Sequence, residues 1–259
     1  MRILKYPKWN LKPLLFAHLL AIFLVFSIFY TPLYSILWQR LDEGFFRFLK
    51  WTIADSSILQ NFWAMANHRV ADFIEDVFFL IFFLWLLKTT PQGEKLKKAA
   101  EFLFLALVTA AVILFINNLL FKQILLIKRY SPSMILEDLP RLSEQVCWLK
   151  VKDKSKLSFP SDHGTTALLF LANFLYLSKN RLLTITAFSY GIFLCLPRMV
   201  AGAHWLTDAL FGSALIVLLI FSWIFCTPFA SFCIEKIYRF FLLIRGLFKS
   251  SRKEKEPVR

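Results

Sequence analysis

The sequence predicts an all-α polytopic membrane protein with six transmembrane helices, flanked by interfacial helices. Three observations carry this. Hydrophobic residues fill 58% of the 259 positions and mean hydropathy is +0.59, with 30 Phe and 8 Trp, more apolar bulk than a soluble core of this size can bury. The apolar residues run in stretches near the roughly 20 residues that a helix needs to cross a bilayer. The alternation of barrel strands is missing, and only seven glycines interrupt the runs.

The elements follow in chain order. Leu14–Tyr34 is the first span. Arg2, Lys5, Lys8 and Lys12 precede it, and it is too long for a signal-peptide core and lacks a small-x-small cleavage site, so it is expected to be retained. Ile36–Trp51 mixes Trp38, Phe45, Phe46, Phe48 and Trp51 with Arg40, Arg47 and Lys50, the pattern of an amphipathic helix lying in the headgroup region. Val70–Leu87 is the second span. Its first turns carry Asp72, Glu75 and Asp76, carboxylates that favour a helix N-terminus and are the only metal-ligand candidates on that side. Ala99–Phe121 is the third span, interrupted by Asn117 and Asn118. Gly164–Leu177 and Leu182–Leu196, the fourth and fifth, are short enough to require tilt or extension into the loops. Trp205–Phe225 is the sixth. Phe232–Phe248, with Lys236, Arg239 and Arg245, reads as a second interfacial helix, and from Lys249 the charged tail is expected to be disordered. One domain, 1–248, with a tail of 249–259, accounts for the chain.

Charge placement orients these spans. The net charge is +14, and 18 of the 31 cations lie in the N-terminus, Lys88–Lys98, Ser178–Arg181 and the C-terminal region. That bias puts both termini in the cytoplasm. Eight of the remaining cations lie between Lys122 and Lys156, against the rule, which hints at another job for them. Cations in loops between apolar spans suit anionic headgroups and the bilayer surface, not nucleic acid. Cys147, Cys195, Cys226 and Cys233 have no metal-ligand spacing and imply no disulfide framework.

Three polar clusters end the apolar runs on the far side, and ionisable residues at such depths need a reason. His204 and Asp208 are four apart at the start of a helix and share one face. The carboxylate there either caps a helix end or accepts the imidazole Nδ1 proton, which leaves Nε2 free as nucleophile or base. Arg198 lies just before them and carries the fork that best holds phosphate oxygens. Pro160-Ser161-Asp162-His163-Gly164 opens a span, with Ser161 as N-cap and free N–H groups for an anion. Lys122 and Arg129 are seven apart, about two helical turns, so both would point the same way, either snorkelling or clamping a phosphate.

The set Lys122-x6-Arg129, then Pro160-Ser161-x-His163, then Arg198-x5-His204-x3-Asp208 resembles the type 2 phosphatidic acid phosphatase superfamily. The resemblance implies a PAP2-like helical bundle and a catalytic trio of His204 as phosphohistidine-forming nucleophile, Asp208 as its orienter and His163 as acid for the leaving group. It implies that Lys122, Arg129, Ser161, Gly164 and Arg198 bind phosphate, with no metal and no cofactor. The chain departs from the commonest pattern at Tyr130 for Pro, Asp162 for Gly and Pro197 for Ser. With their neighbours, these departures resemble the branch that moves a phosphoryl group from undecaprenyl diphosphate to the 1-phosphate of lipid A in a bacterial inner membrane, with the site facing the periplasm. Within that branch, a phosphatase releasing inorganic phosphate is the alternative. A non-enzymatic transporter or scaffold is the reading outside it. Asp162 either meets substrate or caps its helix.

Overall fold

The computed structural model describes residues 9–253, with side chains to 247. The basic residues Arg2, Lys5 and Lys8 and the last six residues of the tail lie outside the described residues. Among the described residues the regular structure is helical, with one isolated parallel bridge between Arg129 and Leu157.

Helix α1, Leu11–Phe29, ends earlier than the expected first span. The reason is Pro32: it lacks an N–H and starts α2, Thr31–Leu37, as an N-terminal proline, with Tyr30 extended between the two helices. Then follow α3, Gln39–Ile53, α4, Ser57–Ala66, and α5, Arg69–Thr89. Helix α6, Lys95–Ala111, continues as a π-helical stretch, Val112–Leu125, which stops where Leu126 turns left-handed at φ 48°. Two single turns, α7 at Pro132–Ile135 and α8 at Leu142–Gln145, interrupt the following loop. Helix α9 is Asp162–Leu177 and α10 is Arg181–Ala201, closed by Gly202 at φ 91°, a conformation that favours glycine. A π-helical Asp208–Ser213 leads into α11, Ala214–Cys226, and α12 is Phe229–Lys253. The charged stretch expected to be disordered from Lys249 is therefore helical as far as Lys253.

Four helical runs among the described residues are long and apolar enough to cross a membrane: Leu11–Phe29, Gln92–Leu125, Arg181–Ala201 and Asp208–Cys226. The other two expected spans are helices, but α5 carries Asp72, Glu75 and Asp76, and α9 has only 16 residues. The main core packs α5, α6, α9, α10 and α11 around Phe82, Phe104, Leu169, Phe174, Leu183 and Ile224. A second cluster, built on Leu49, Ile53, Leu142 and Val200, seals α3, α4 and α8 against the end of α10. Large apolar side chains such as Phe16, Phe73, Leu84, Leu114 and Ile185 face outward, as a lipid-facing surface requires.

Candidate active site

The helices alternate in direction, and this brings the polar clusters to one end of the bundle. The start of α5, the end of the Val112–Leu125 stretch, the start of α9, the end of α10 and the start of Asp208–Ser213 all meet there. The backbone N–H of Asn10 donates to Cys226 O at 3.0 Å, which sets the start of α1 beside the far end of α11.

Ser161 is the N-cap of α9, as the sequence predicts. Its hydroxyl accepts the Gly164 N–H at 3.1 Å. Gly164 is required here because a Cβ would stand 2.8 Å from Ser213 Oγ and 3.0 Å from Ala209 Cα. The first turn of α9 is thus pressed against the Asp208–Ser213 segment, which joins the second cluster to the third.

His204 is buried. Its partner differs from the one the i, i+4 spacing suggests. Nδ1 donates to the Ser158 carbonyl at 2.6 Å, while the nearest Asp208 oxygen is 3.9 Å away. Asp208 is occupied elsewhere: Oδ2 accepts the Trp205 N–H at 2.8 Å and Oδ1 pairs with Arg129. The tautomer is the one expected, because the carbonyl accepts only from a protonated Nδ1 and leaves the Nε2 lone pair free. Burial holds the His204 pKa below its ordinary value, against the opposing pull of Asp208 and the Ser158 carbonyl, so the ring is neutral near pH 7. Asp162 and His163 also act on it electrostatically.

His163 sits between charges of opposite sign. Its Nε2 is 3.6 Å from Asp72 and within 3.4 Å of two guanidinium nitrogens of Arg198. Arg198 is held in turn by Asn67, whose Oδ1 accepts from Nη1 at 2.9 Å and whose Nδ2 donates to Pro197 O at 3.2 Å. Lys122 pairs with Asp162, which also accepts from Asn117 at 3.3 Å. Asp72, Glu75 and His163 place ligand atoms within 4.8 Å of one another, close enough to hold a metal ion. A cation there would compete with Arg198 for His163.

Arg129 departs from expectation. The helix stops at Leu125, so Arg129 does not share a helical face with Lys122. It runs beside Leu157 instead, with its N–H on Lys156 O and its carbonyl accepting from Ser158 N. Its guanidinium pairs with Asp208, reaches Asp42 at 2.9 Å and Thr207 Oγ1 at 2.8 Å, and lies over the Tyr34 and Trp205 rings.

Asp42 is the residue that sequence reasoning missed. It accepts from Arg129, from Tyr34 at 2.9 Å, and from the Thr207 N–H and hydroxyl at 2.9 and 2.6 Å. Its helix α3 was expected at the headgroups, but its inner face, with Asp42, Phe46, Leu49 and Ile53, is buried. A carboxylate among apolar neighbours on that helix was the available signal. Asn67 had none.

The family model described as the PAP2 superfamily matches residues 100–233, which take in every polar cluster from Lys122 to Asp208. The lipid A 1-diphosphate synthase of Escherichia coli (strain K12) is 28% identical over 206 residues, covering 79% of this chain and 83% of that protein. No solved structure matches.

Proposed function

Because this chain belongs to the PAP2 superfamily, we propose that it is a membrane phosphotransferase that moves a phosphoryl group from undecaprenyl diphosphate to lipid A 1-phosphate through a phosphohistidine. The observation that carries this is His204: buried, held by the Ser158 carbonyl through Nδ1, and so presenting an unprotonated Nε2.

The steps follow from the surrounding charges. Nε2 of His204 attacks the terminal phosphorus of the diphosphate. The bond to the bridging oxygen breaks, and that oxygen takes a proton from His163, for which Asp72 is the nearby counter-ion. Lys122, Arg198 and the N–H groups of Asp162 and His163 in the first turn of α9 hold the phosphate oxygens, while the Ser161 and Gly164 N–H groups are taken up by Asp208 O and the Ser161 hydroxyl; fixed donors matter most here because charge spreads over the transferring group. Arg129 has its charge taken up by Asp208 and Asp42, and its role is to fix the backbone that carries His204. Asp162 holds Lys122 until substrate competes for it.

A lipid substrate is supported by an apolar groove of about 910 Å³ between α1, α9 and α11. Helix α9 carries His163 in its first turn and Leu168, Leu171 and Leu175 along the groove, so a headgroup at one end leaves its tail on an apolar wall. The site faces the periplasm and the protein lies in the inner membrane. Reconstitution with terminally labelled undecaprenyl diphosphate, with and without lipid A, tests the reading. Label on lipid A supports transfer, whereas label released only as inorganic phosphate makes the protein a phosphatase.

A further inference from the structure

We propose that a basic pocket beside the reaction centre seats the acceptor, as a phosphate monoester bound while the phosphoryl group is on His204. This rests on the phosphoryl-transfer reading above and adds to it a second anion site. The pocket has a volume of about 540 Å³, within the roughly 300–1,000 Å³ typical of small-molecule sites and roomy enough for a phosphate with the sugar that bears it. Its cations come from separate elements: Arg69 at the start of α5, Lys150, Lys152 and Lys154 on the segment before α9, and Arg198 near the end of α10.

The lysines are placed there by the backbone. Val151 and Asp153 are buried while Lys150, Lys152 and Lys154 are exposed, the alternation of an extended chain. Asn67 pins that segment: Lys152 N–H donates to Oδ1 at 3.0 Å, and Nδ2 reaches Lys152 O at 3.4 Å. The same Oδ1 accepts from Arg198. One buried amide therefore fixes both the lysine segment and the arginine of the reaction centre.

The positive charge in this pocket is only partly offset from within, because five cations line it against two carboxylates. Asp153 accepts the Ser143 N–H at 3.0 Å, and Asp72 faces His163. The protein around Lys152, and then repulsion from Lys122 and Arg198, holds its ammonium pKa below the ordinary value. A bound anion relieves that repulsion. Arg198 lines the pocket and touches His163, so the pocket and the reaction centre share a wall, as transfer between two phosphates requires.

In the second half-reaction an oxygen of the seated phosphate attacks the phosphorus on His204. The new P–O bond forms, the P–N bond breaks and its electron pair returns to Nε2. A monoanionic acceptor gives its proton to His163, and a dianion has none to give. Water entering the same space would yield inorganic phosphate, so occupancy of the pocket also decides between transferase and phosphatase.

The test uses the full-length protein in mixed micelles, with Arg69→Gln, Lys150→Gln and Lys154→Gln combined. Donor cleavage without acceptor and transfer to lipid A 1-phosphate are measured separately. The expected result is an acceptor KM raised at least tenfold, with donor cleavage within twofold of the unsubstituted protein. A charge-retaining variant, Arg69→Lys with Lys150→Arg and Lys154→Arg, should restore the acceptor KM. Equal losses in both reactions would mean that the pocket holds the donor's second phosphate and would overturn the proposal. An unchanged acceptor KM would overturn it too, leaving a solvated rim. Failure of the unsubstituted protein to cleave the donor would sink the phosphoryl-transfer reading itself.

Discussion

At His204 the decisive proton is the one on Nδ1. The Ser158 carbonyl accepts it at 2.6 Å, so ring orientation does not depend on a direct bond to Asp208. His204→Ala should abolish phosphoryl transfer, leaving less than about a thousandth of the rate, as removal of an activated nucleophile does. Asp208→Asn should cost less in rate and more in stability, because it leaves buried Arg129 with Asp42 alone; breaking a buried pair costs about 3–5 kcal/mol. Rates and melting temperatures of both variants check this, and near-normal turnover by His204→Ala would remove it as nucleophile. The pH dependence follows from burial. The folded His204 pKa is lowered, so between that value and the ordinary one of about 6.5 the unfolded chain binds the extra proton. Stability is then present above the ordinary value and lost as pH falls through this window. Melting temperatures from pH 8 to 5 should drop less steeply in His204→Asn. Donor cleavage is expected to persist in excess chelator, since Arg198 already holds the nitrogen of His163 that a metal at Asp72 and Glu75 would need. Loss of activity restored by magnesium would make that trio a metal site. At this scale the sequence was informative where spacing encodes chemistry. Ser161, His163, Arg198 and His204 lie at one end of the bundle, as read. Contacts to a backbone carbonyl, or across 131 residues from Asn67 to Arg198, leave no trace in local spacing.

Elements were legible wherever a helix is long and apolar, and less so where single residues override the pattern. Pro32 ends the first helix before Tyr34, and the left-handed Leu126 takes Arg129 off the helix that carries Lys122. The amphipathic pattern of α3 was read correctly, but its buried face meets protein. That face supplies Asp42, which takes four hydrogen bonds from Tyr34, Arg129 and Thr207, the last just after His204 in the chain. Asp42→Ala should therefore lower stability by about 3 kcal/mol or more, the cost of leaving buried partners unpaired. It should also lower the rate of donor cleavage without a matching rise in donor KM, because Asp42 touches the backbone and the arginine behind the site and not the phosphate-holding groups. A rise in KM with an unchanged rate would place Asp42 against the substrate. Of the departures from the commonest motif, Asp162 gains side-chain partners in Lys122 and Asn117, whereas Tyr130 and Pro197 are held through backbone carbonyls that any residue would offer, by Trp205 at 2.7 Å and Asn67 at 3.2 Å.

The whole molecule separates its charges along the bundle axis. The turns Lys88–Lys98 and Ser178–Arg181 and the start of α1 lie at one end, and Lys122, His163, Arg198 and His204 at the other. In a bacterial inner membrane, short loops rich in Lys and Arg stay in the cytoplasm. In the orientation proposed above the site faces the periplasm, and Lys122, Arg129, Lys150, Lys152 and Lys154, five of the eight cations that break the charge rule, lie at the site or in the pocket beside it. A single cysteine tests this orientation. Cys147 is exposed in the same loop and must be removed first, whereas Cys226 is buried. Lys154→Cys on a Cys147→Ser background puts one thiol at the rim of the basic pocket, where Lys154 is exposed. In cells with a permeabilised outer membrane, an impermeant maleimide should label it, and lipid A 1-phosphate in micelles should slow the labelling if the rim borders a bound acceptor. Labelling only after inner-membrane lysis would invert the bundle. It would place the reaction at the cytoplasmic leaflet, and the cation bias of the opposite loops would then require another cause.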